Sequence, residues 1–102
     1  MAGITISKAA RKDLASIRDY ISDELANPDA AIRIIGALKQ SILKLAEMPQ
    51  CGKPLDAILS IHTEYRFLIY ENYRIFYLYD GETVEIVRIL HTLQDYMRAL
   101  FM

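Results

Sequence analysis

The stretch EYRFLIYENYRIFYLYDGETVEIVRILH, residues 64–91, decides the fold of this chain. It is rich in aromatic and β-branched residues, which favour strands over helices. Glu71-Asn72 and Asp80-Gly81 interrupt it at positions that suit tight turns, since Gly tolerates a positive φ. The stretch therefore predicts three strands in an antiparallel meander, at Tyr65–Tyr70, Tyr73–Tyr79 and Thr83–Leu90.

The chain before the meander has the spacing of a short strand and two amphipathic helices. Gly3–Ile6 reads as the strand, and Ser7 suits the N-cap of a helix that runs to about Leu25. Asn27-Pro28-Asp29 then breaks the chain and starts a second helix, which runs to about Glu47. Apolar residues recur at spacings of three and four, namely Ala10, Leu14, Ile17, Ile21 and Leu25, then Ala31, Ile35, Leu38, Ile42 and Leu45, widened by Ile32 and Ile34. Two such helices joined by a short break form an antiparallel hairpin.

The order of these elements predicts an α+β fold. A loop to about Thr63 follows the helices, and a short terminal helix is expected from about Gln94 to Phe101. Helices and strands that are segregated in this way favour a helical hairpin packed on one face of a small antiparallel sheet. The chain has 102 residues, and no linker or repeat divides it, so residues 1–102 are expected to form a single domain.

Composition and charge exclude several classes of protein. The net charge of −1 argues against a general phosphate binder, which needs clustered Lys and Arg. From Cys51 onward, five Lys and Arg residues stand against seven Asp and Glu residues, so the sheet half is acidic. Cys51 is the only cysteine, and a lone thiol suggests a reducing compartment. The chain has neither an apolar run of roughly 20 residues nor an apolar leader, so a cytoplasmic protein without a membrane span is expected.

Four segments, in their order and spacing, resemble the RelE/ParE superfamily of toxins from type II toxin–antitoxin systems. They are ITISKAARKDLASIRDYI, NPDAA, LAEMPQCGKPL and the stretch quoted above, and together they cover nearly the whole chain. The long helical hairpin is closer to the ParE-like, plasmid-stabilisation members than to RelE. The resemblance implies a growth-inhibiting toxin that a cognate antitoxin neutralises in a hetero-oligomer. The sequence has no metal motif or Gly-rich phosphate loop, and His62 lacks a second ligand at useful spacing, so no metal or cofactor is expected.

The resemblance implies two possible targets. ParE-like members poison DNA gyrase, and RelE-like members cut messenger RNA on the ribosome without a metal ion. Cleavage by 2′-hydroxyl attack needs a base, an acid and cations that stabilise the phosphorane. By the resemblance, Arg74 takes the place of the nuclease branch's arginine and Arg66 that of a nearby basic residue, while His91 follows as a possible acid or base. Leu68 and Leu55 stand where that branch has a lysine and a glutamate, so the catalytic set is partial.

Alternation of side chains along the strands predicts that the two arginines point to opposite faces of the sheet. If Glu71-Asn72 is a two-residue loop, Ile69 faces Arg74, and alternation then directs Arg66 and Arg74 to opposite sides. Such a pair does not form one phosphate clamp unless a bulge shifts the register. Ion pairs with Glu64 or Glu71 are the structural alternative for both arginines.

Three hypotheses about function follow. The slightly favoured one is a ParE-like toxin that binds a protein target such as gyrase and has no chemistry of its own. The second is a ribosome-dependent endoribonuclease that uses Arg74, Arg66 and His91. The third is an inactive toxin homologue that only binds an antitoxin. For contact with a partner, the sequence indicates Arg88, Tyr77 and Tyr96.

Overall fold

The computed structural model describes residues 1–59, 62–92 and 94–102. Its strands and helices follow one another as β1 (Gly3–Ile6), α1 (Lys8–Asp19), a π-helical turn (Tyr20–Glu24), α2 (Pro28–Glu47), β2 (Lys53–Pro54), a 3-10 turn (Leu55–Ala57), β3 (Arg66–Tyr70), β4 (Tyr73–Tyr79), β5 (Thr83–His91) and α3 (Tyr96–Phe101). Within these residues, no helix is both long and apolar enough to cross a membrane.

The sheet has five strands in the order β1-β5-β4-β3-β2. The meander β3-β4-β5 is antiparallel as predicted, and its first turn has the predicted register, with Tyr70 opposite Tyr73 and Ile69 opposite Arg74. β1 was predicted without a pairing partner, and it joins the sheet in parallel with β5, so the sheet is mixed. The two helices after β1 form the long crossover that a parallel pair requires. The two-residue strand β2 was not predicted.

Side-chain caps fix the start of both long helices. The Ser7 Oγ atom accepts a hydrogen bond from the Ala10 amide at 3.0 Å, and the Asn27 Oδ1 atom accepts one from the Ala30 amide at 3.1 Å. Both are N-caps that the sequence predicted. α1 ends earlier than predicted, since the chain opens into the π-helical turn after Asp19 and leaves Leu25 56% exposed.

The main core lies between the helical hairpin and one face of the sheet. Its helical part follows the predicted spacing, with Ala31, Leu38, Ile42 and Leu45 buried. Ile34 joins them, whereas Ile32 is 74% exposed and does not widen the apolar stripe as predicted. Its sheet part includes the side chains of Tyr77, Val84, Ile86 and Ile89.

A smaller second core covers the opposite face of the sheet, where the sequence predicted no packing. It contains Leu55, Phe67, Phe76 and Leu90, and residues of α3 and the 3-10 turn pack against it. The sheet is therefore apolar on both faces and is covered on both, by the long hairpin on one side and by the short α3 on the other.

A bulge in β5 adjusts this strand to both cores. Phe76 pairs with Arg88 but Tyr77 pairs with Ile86, so Val87 is an extra residue. The extra residue interrupts alternation, because Ile86 and Ile89 now face the same core. Strict alternation of side chains along β5 therefore ends at Ile86. The Ser7 hydroxyl donates a hydrogen bond to the Val87 carbonyl at 2.7 Å and holds the bulge in place.

Candidate functional site

Arg74 lies on the second face of the sheet, at the end of β4 that follows the Glu71-Asn72 turn. Its guanidinium carbon is 5.6 Å from the ring centroids of both Phe67 and Tyr96, so the group is held between two aromatic side chains. Its Nε atom is buried and has no hydrogen-bond partner within residues 1–59, 62–92 and 94–102. The predicted ion pair with Glu71 is not formed, because Glu71 lies 3.5 Å from Arg33 instead.

Arg66 lies on the opposite side and serves the loop before β2. Its register partner on β4 is Tyr77, which belongs to the main core. The Arg66 Nη1 atom donates to the Gly52 carbonyl at 2.9 Å and to the Gln50 carbonyl at 3.3 Å. The suggested ion pair with Glu64 is replaced by these carbonyl contacts, which tie the loop to the sheet.

His91 ends β5 and lies on the helical side of the sheet. Its ring packs edge-on against Tyr73, with 5.5 Å between centroids, and its amide donates to the Gln94 Oε1 atom at 2.8 Å. Tyr73 and His91 also line a groove of about 760 Å³, which the helix ends close on the other side with Tyr20 and Leu25. Burial, with the charge of Glu71 nearby, raises the pKa of Tyr73, which keeps its hydroxyl protonated at neutral pH.

The three predicted catalytic residues do not converge on one site. Arg74 is opposite Leu90 and His91 is opposite Tyr73, and successive positions on a strand point to opposite faces. Arg66 shares the helical side with His91 but is engaged at the far end of β3, where its guanidinium binds loop carbonyls. This confirms the opposite orientation of the two arginines that strand arithmetic predicted.

Arg88 has a structural partner. Its Nε and Nη2 atoms donate to the carboxylate of Asp13 at 2.7 and 2.9 Å, and the Ile89 amide donates to the same carboxylate at 2.9 Å. The paired carboxylate raises the pKa of Arg88. The sequence indicated Arg88 for contact with a partner protein. In the structure, Arg88 instead joins β5 to Asp13 of α1, beyond the end of β1.

Tyr77 and Tyr96, the other two residues predicted for partner contact, both take part in packing. Tyr77 is fully buried, and its hydroxyl accepts a hydrogen bond from the Gly52 amide at 2.9 Å. That burial contradicts a role for Tyr77 in partner contact. Burial also raises the pKa of the Tyr77 phenol. Tyr96 is half-buried in α3 and stacks at 5.6 Å on Phe76, so its ring closes the second core.

His62 lies between two carboxylates in the loop before β3. Its Nδ1 atom is 2.8 Å from Asp56 and its Nε2 atom 3.0 Å from Glu64. These contacts, first with Glu64 and then with Asp56, raise the pKa of His62. No local sequence pattern predicts the contact between Asp56 and this histidine, because the 3-10 turn that carries Asp56 was not predicted.

Comparison with known proteins finds a family and a set of solved structures with the same fold. The family model for the ParE toxin of the type II toxin–antitoxin system parDE matches residues 4–96. The chromosomal ParDE system from P. aeruginosa has a chain that is 20% identical, with a TM-score of 0.74 over 89% of this chain and 96% of that one. The toxin–antitoxin complex RelBE2 from Mycobacterium tuberculosis has one that is 24% identical, with a TM-score of 0.64 over 88% of this chain and 96% of that one. None of the curated protein sequences gives a significant match. At these identities, the likeness to the solved structures concerns the fold.

Proposed function

This chain belongs to the ParE toxin family of type II toxin–antitoxin systems, and from that membership we propose that it inhibits growth by binding a protein target such as DNA gyrase. A cognate antitoxin neutralises it in a hetero-oligomer, and the toxin acts in the cytoplasm. Both structural relatives come from toxin–antitoxin systems, which supports a partner of this kind. Exposed apolar side chains on the hairpin and the sheet, among them Ile32 and Ile69, offer surface for such contacts.

The observation that carries the proposal is the separation of Arg74, Arg66 and His91, the residues that the endoribonuclease hypothesis requires at one site. Phosphorane stabilisation and proton transfer require cation, acid and base around one scissile phosphate. Arg74 and His91 point to opposite faces of the sheet, and Arg66 is engaged with loop carbonyls. A surface that only binds another protein has no such requirement.

The first test is induced expression followed by separate pulse labelling of DNA and protein synthesis. A toxin that acts on gyrase stops DNA synthesis first and induces a DNA-damage response. Purified gyrase incubated with the purified chain should then lose supercoiling activity or accumulate cleaved DNA. If protein synthesis stops first, the endoribonuclease alternative replaces this proposal. If induction leaves growth unaffected, the inactive homologue does.

Substitution of Arg74 and His91 tests whether toxicity depends on a catalytic site. Arg74→Ala and His91→Ala are expected to retain growth arrest, since neither side chain performs chemistry in this mechanism. Circular dichroism of the purified variants should establish that both are folded. Loss of toxicity in two folded variants, together with ribosome-dependent messenger RNA cleavage that the wild-type chain performs and both variants lack, would support the endoribonuclease instead.

A further inference from the structure

The guanidinium of Arg74 has no counterion in the described part of the chain. Its guanidinium lies over the rings of Phe67 and Tyr96, and its Nε atom is buried without a hydrogen-bond partner among those residues. Buried polar atoms are nearly always hydrogen-bonded in native proteins, so an exception points to a ligand or a functional role. Among the residues that the structure describes, the Arg74 Nε atom is therefore the buried side-chain polar atom that lacks a hydrogen-bond partner.

The acidic residues closest in sequence to Arg74 and to its two ring partners are engaged elsewhere. Glu71, at the turn before β4, lies 3.5 Å from Arg33, and Glu64 lies 3.0 Å from His62. Asp95 caps α3 by accepting from the Arg98 amide at 3.2 Å. Arg74 is thus a cation on the second face of the sheet, and each of these three acidic residues interacts with a different group.

The setting of Arg74 favours a carboxylate ligand. Two aromatic rings hold the planar guanidinium in one orientation, and the Arg74 residue as a whole is only half-buried. A planar guanidinium with a fixed orientation binds a carboxylate through two parallel hydrogen bonds, and it loses little conformational entropy when it does so.

The neighbour of Arg74 indicates that the carboxylate comes from a polypeptide. Ile69 is directly opposite Arg74 on β3, and it is 54% exposed. A nucleic-acid strand needs several cations along its path, whereas the chain from Cys51 onward has more acidic than basic residues. An acidic side chain next to an apolar one matches both the charge of Arg74 and the exposed surface of Ile69.

We propose that an acidic side chain of the antitoxin binds Arg74 while an adjacent apolar residue of the same segment packs on Ile69. This inference rests on the proposed function for the identity of the partner. The contact supplies a counterion to the guanidinium, and it gives the second face of the sheet a part in neutralisation. α3 contributes to the contact through Tyr96, which fixes the guanidinium.

A peptide titration tests the chemistry of the site without the antitoxin. In the NMR spectrum of the full chain, the Arg74 Nε–H signal is followed as acetyl-Leu-Glu-Leu-amide is added, with acetyl-Leu-Gln-Leu-amide as the matched neutral peptide. The Glu peptide is expected to shift this signal saturably and the Gln peptide to leave it in place. Equal effects of the two peptides, or tighter binding of a 5′-phosphorylated uridine dinucleotide, would overturn the proposal.

Affinity for the purified antitoxin, the product of the adjoining reading frame, provides the second test. Arg74→Gln is expected to weaken binding about tenfold, as is typical when a charge-assisted hydrogen bond is lost. Arg74→Lys keeps the charge but lacks the planar pair of donors. Its affinity for the antitoxin should therefore lie between that of the wild type and that of Arg74→Gln. Lys39→Gln, an equal change of charge at an exposed position of α2, is the control and should bind like the wild type.

These results separate the inference from the proposed function. Unchanged affinity of Arg74→Gln contradicts the inference and leaves the toxin assignment intact. Failure of the wild-type chain to arrest growth contradicts the proposed function, and the two binding measurements still test Arg74.

Discussion

At the scale of single residues, Asp13 is the side chain on which the junction of α1 and β5 depends. Its carboxylate accepts from two nitrogens of Arg88 and from the Ile89 amide, and only 13% of the Asp13 side chain and 26% of the Arg88 side chain are exposed. Removal of one member of a largely buried ion pair leaves the other charge uncompensated. Asp13→Asn is therefore expected to lower the free energy of unfolding by about 2 kcal/mol, as measured by urea denaturation.

Asp19→Asn provides the matched control for that substitution. Asp19 pairs with Arg18 at 3.1 Å, but about 60% of both side chains is exposed. Because exposed ion pairs contribute little to stability, this variant should unfold at nearly the same urea concentration as the wild type. Similar midpoints for the two variants would show that Asp13 has no special structural role.

Gly52 is a second position on which the packing depends, because the Tyr77 side chain occupies the space next to it. A Cβ atom at this residue would lie 2.5 Å from the Tyr77 hydroxyl oxygen and 2.9 Å from the Phe67 carbonyl oxygen. Gly52→Ala is expected to destabilise the fold by about 2 kcal/mol, because Tyr77 is buried and has no space to move. Gly36→Ala meets no atom within 4 Å and should stabilise α2 by about 0.5–1 kcal/mol. Denaturation midpoints that move in the same direction would contradict this packing argument.

At the scale of elements, the end of the first helix holds strain that a substitution can release. The π-helical turn after α1 leads into Ala26, which has a φ of +48°, a conformation unfavourable for residues with a Cβ atom. Ala26→Gly should raise the free energy of unfolding by about 0.5 kcal/mol, since relief of strain outweighs the added freedom of the unfolded chain. Ala9→Gly, at an exposed position of α1, should lower it by up to about 1 kcal/mol. A loss of stability in both variants would show that Ala26 is not strained.

Local signals explain which elements could be predicted from the sequence. The N-caps and the Glu71-Asn72 turn depend on neighbouring residues, so the helix starts and the β3–β4 register were predicted correctly. The bulge at Val87 depends on Ser7, 80 residues away, and no local pattern predicts it. The same is true of β2, which exists only because Lys53 and Pro54 meet Phe67 and Arg66 across the chain.

In the candidate site too, some features could be predicted from local sequence and others could not. Alternation along β3 and β4 was sufficient to turn Arg66 and Arg74 apart, because that property follows from the turn. The contacts that engage the two guanidinium groups come from distant segments, α3 for Arg74 and the loop at Gly52 for Arg66. Sequence reasoning consequently found the positions of these residues but not their partners.

At the scale of the whole molecule, the short α3 should matter more to stability than its length suggests. It covers the second core through Tyr96, Ala99 and Leu100, and Phe101 packs edge-on against Tyr65 at 5.6 Å. Deletion of residues 96–102 is expected to expose that core and cost about 3 kcal/mol, which is the burial of one or two large side chains. Thermal unfolding and binding of a hydrophobic dye would measure the effect, and deletion of Met102 alone, which is 92% exposed, is the control. An unchanged melting temperature after the longer deletion would contradict the role given to α3.

The edges of the sheet have a consequence for the behaviour of the free protein at high concentration. β1 provides four residues at one edge, and β2 provides two at the other, where Pro54 has no backbone N–H to donate. A fibril grows when one molecule offers a long row of open hydrogen-bonding groups to the next, and short, proline-containing edges offer few. The free protein therefore offers few backbone groups at which amyloid-like assembly could start.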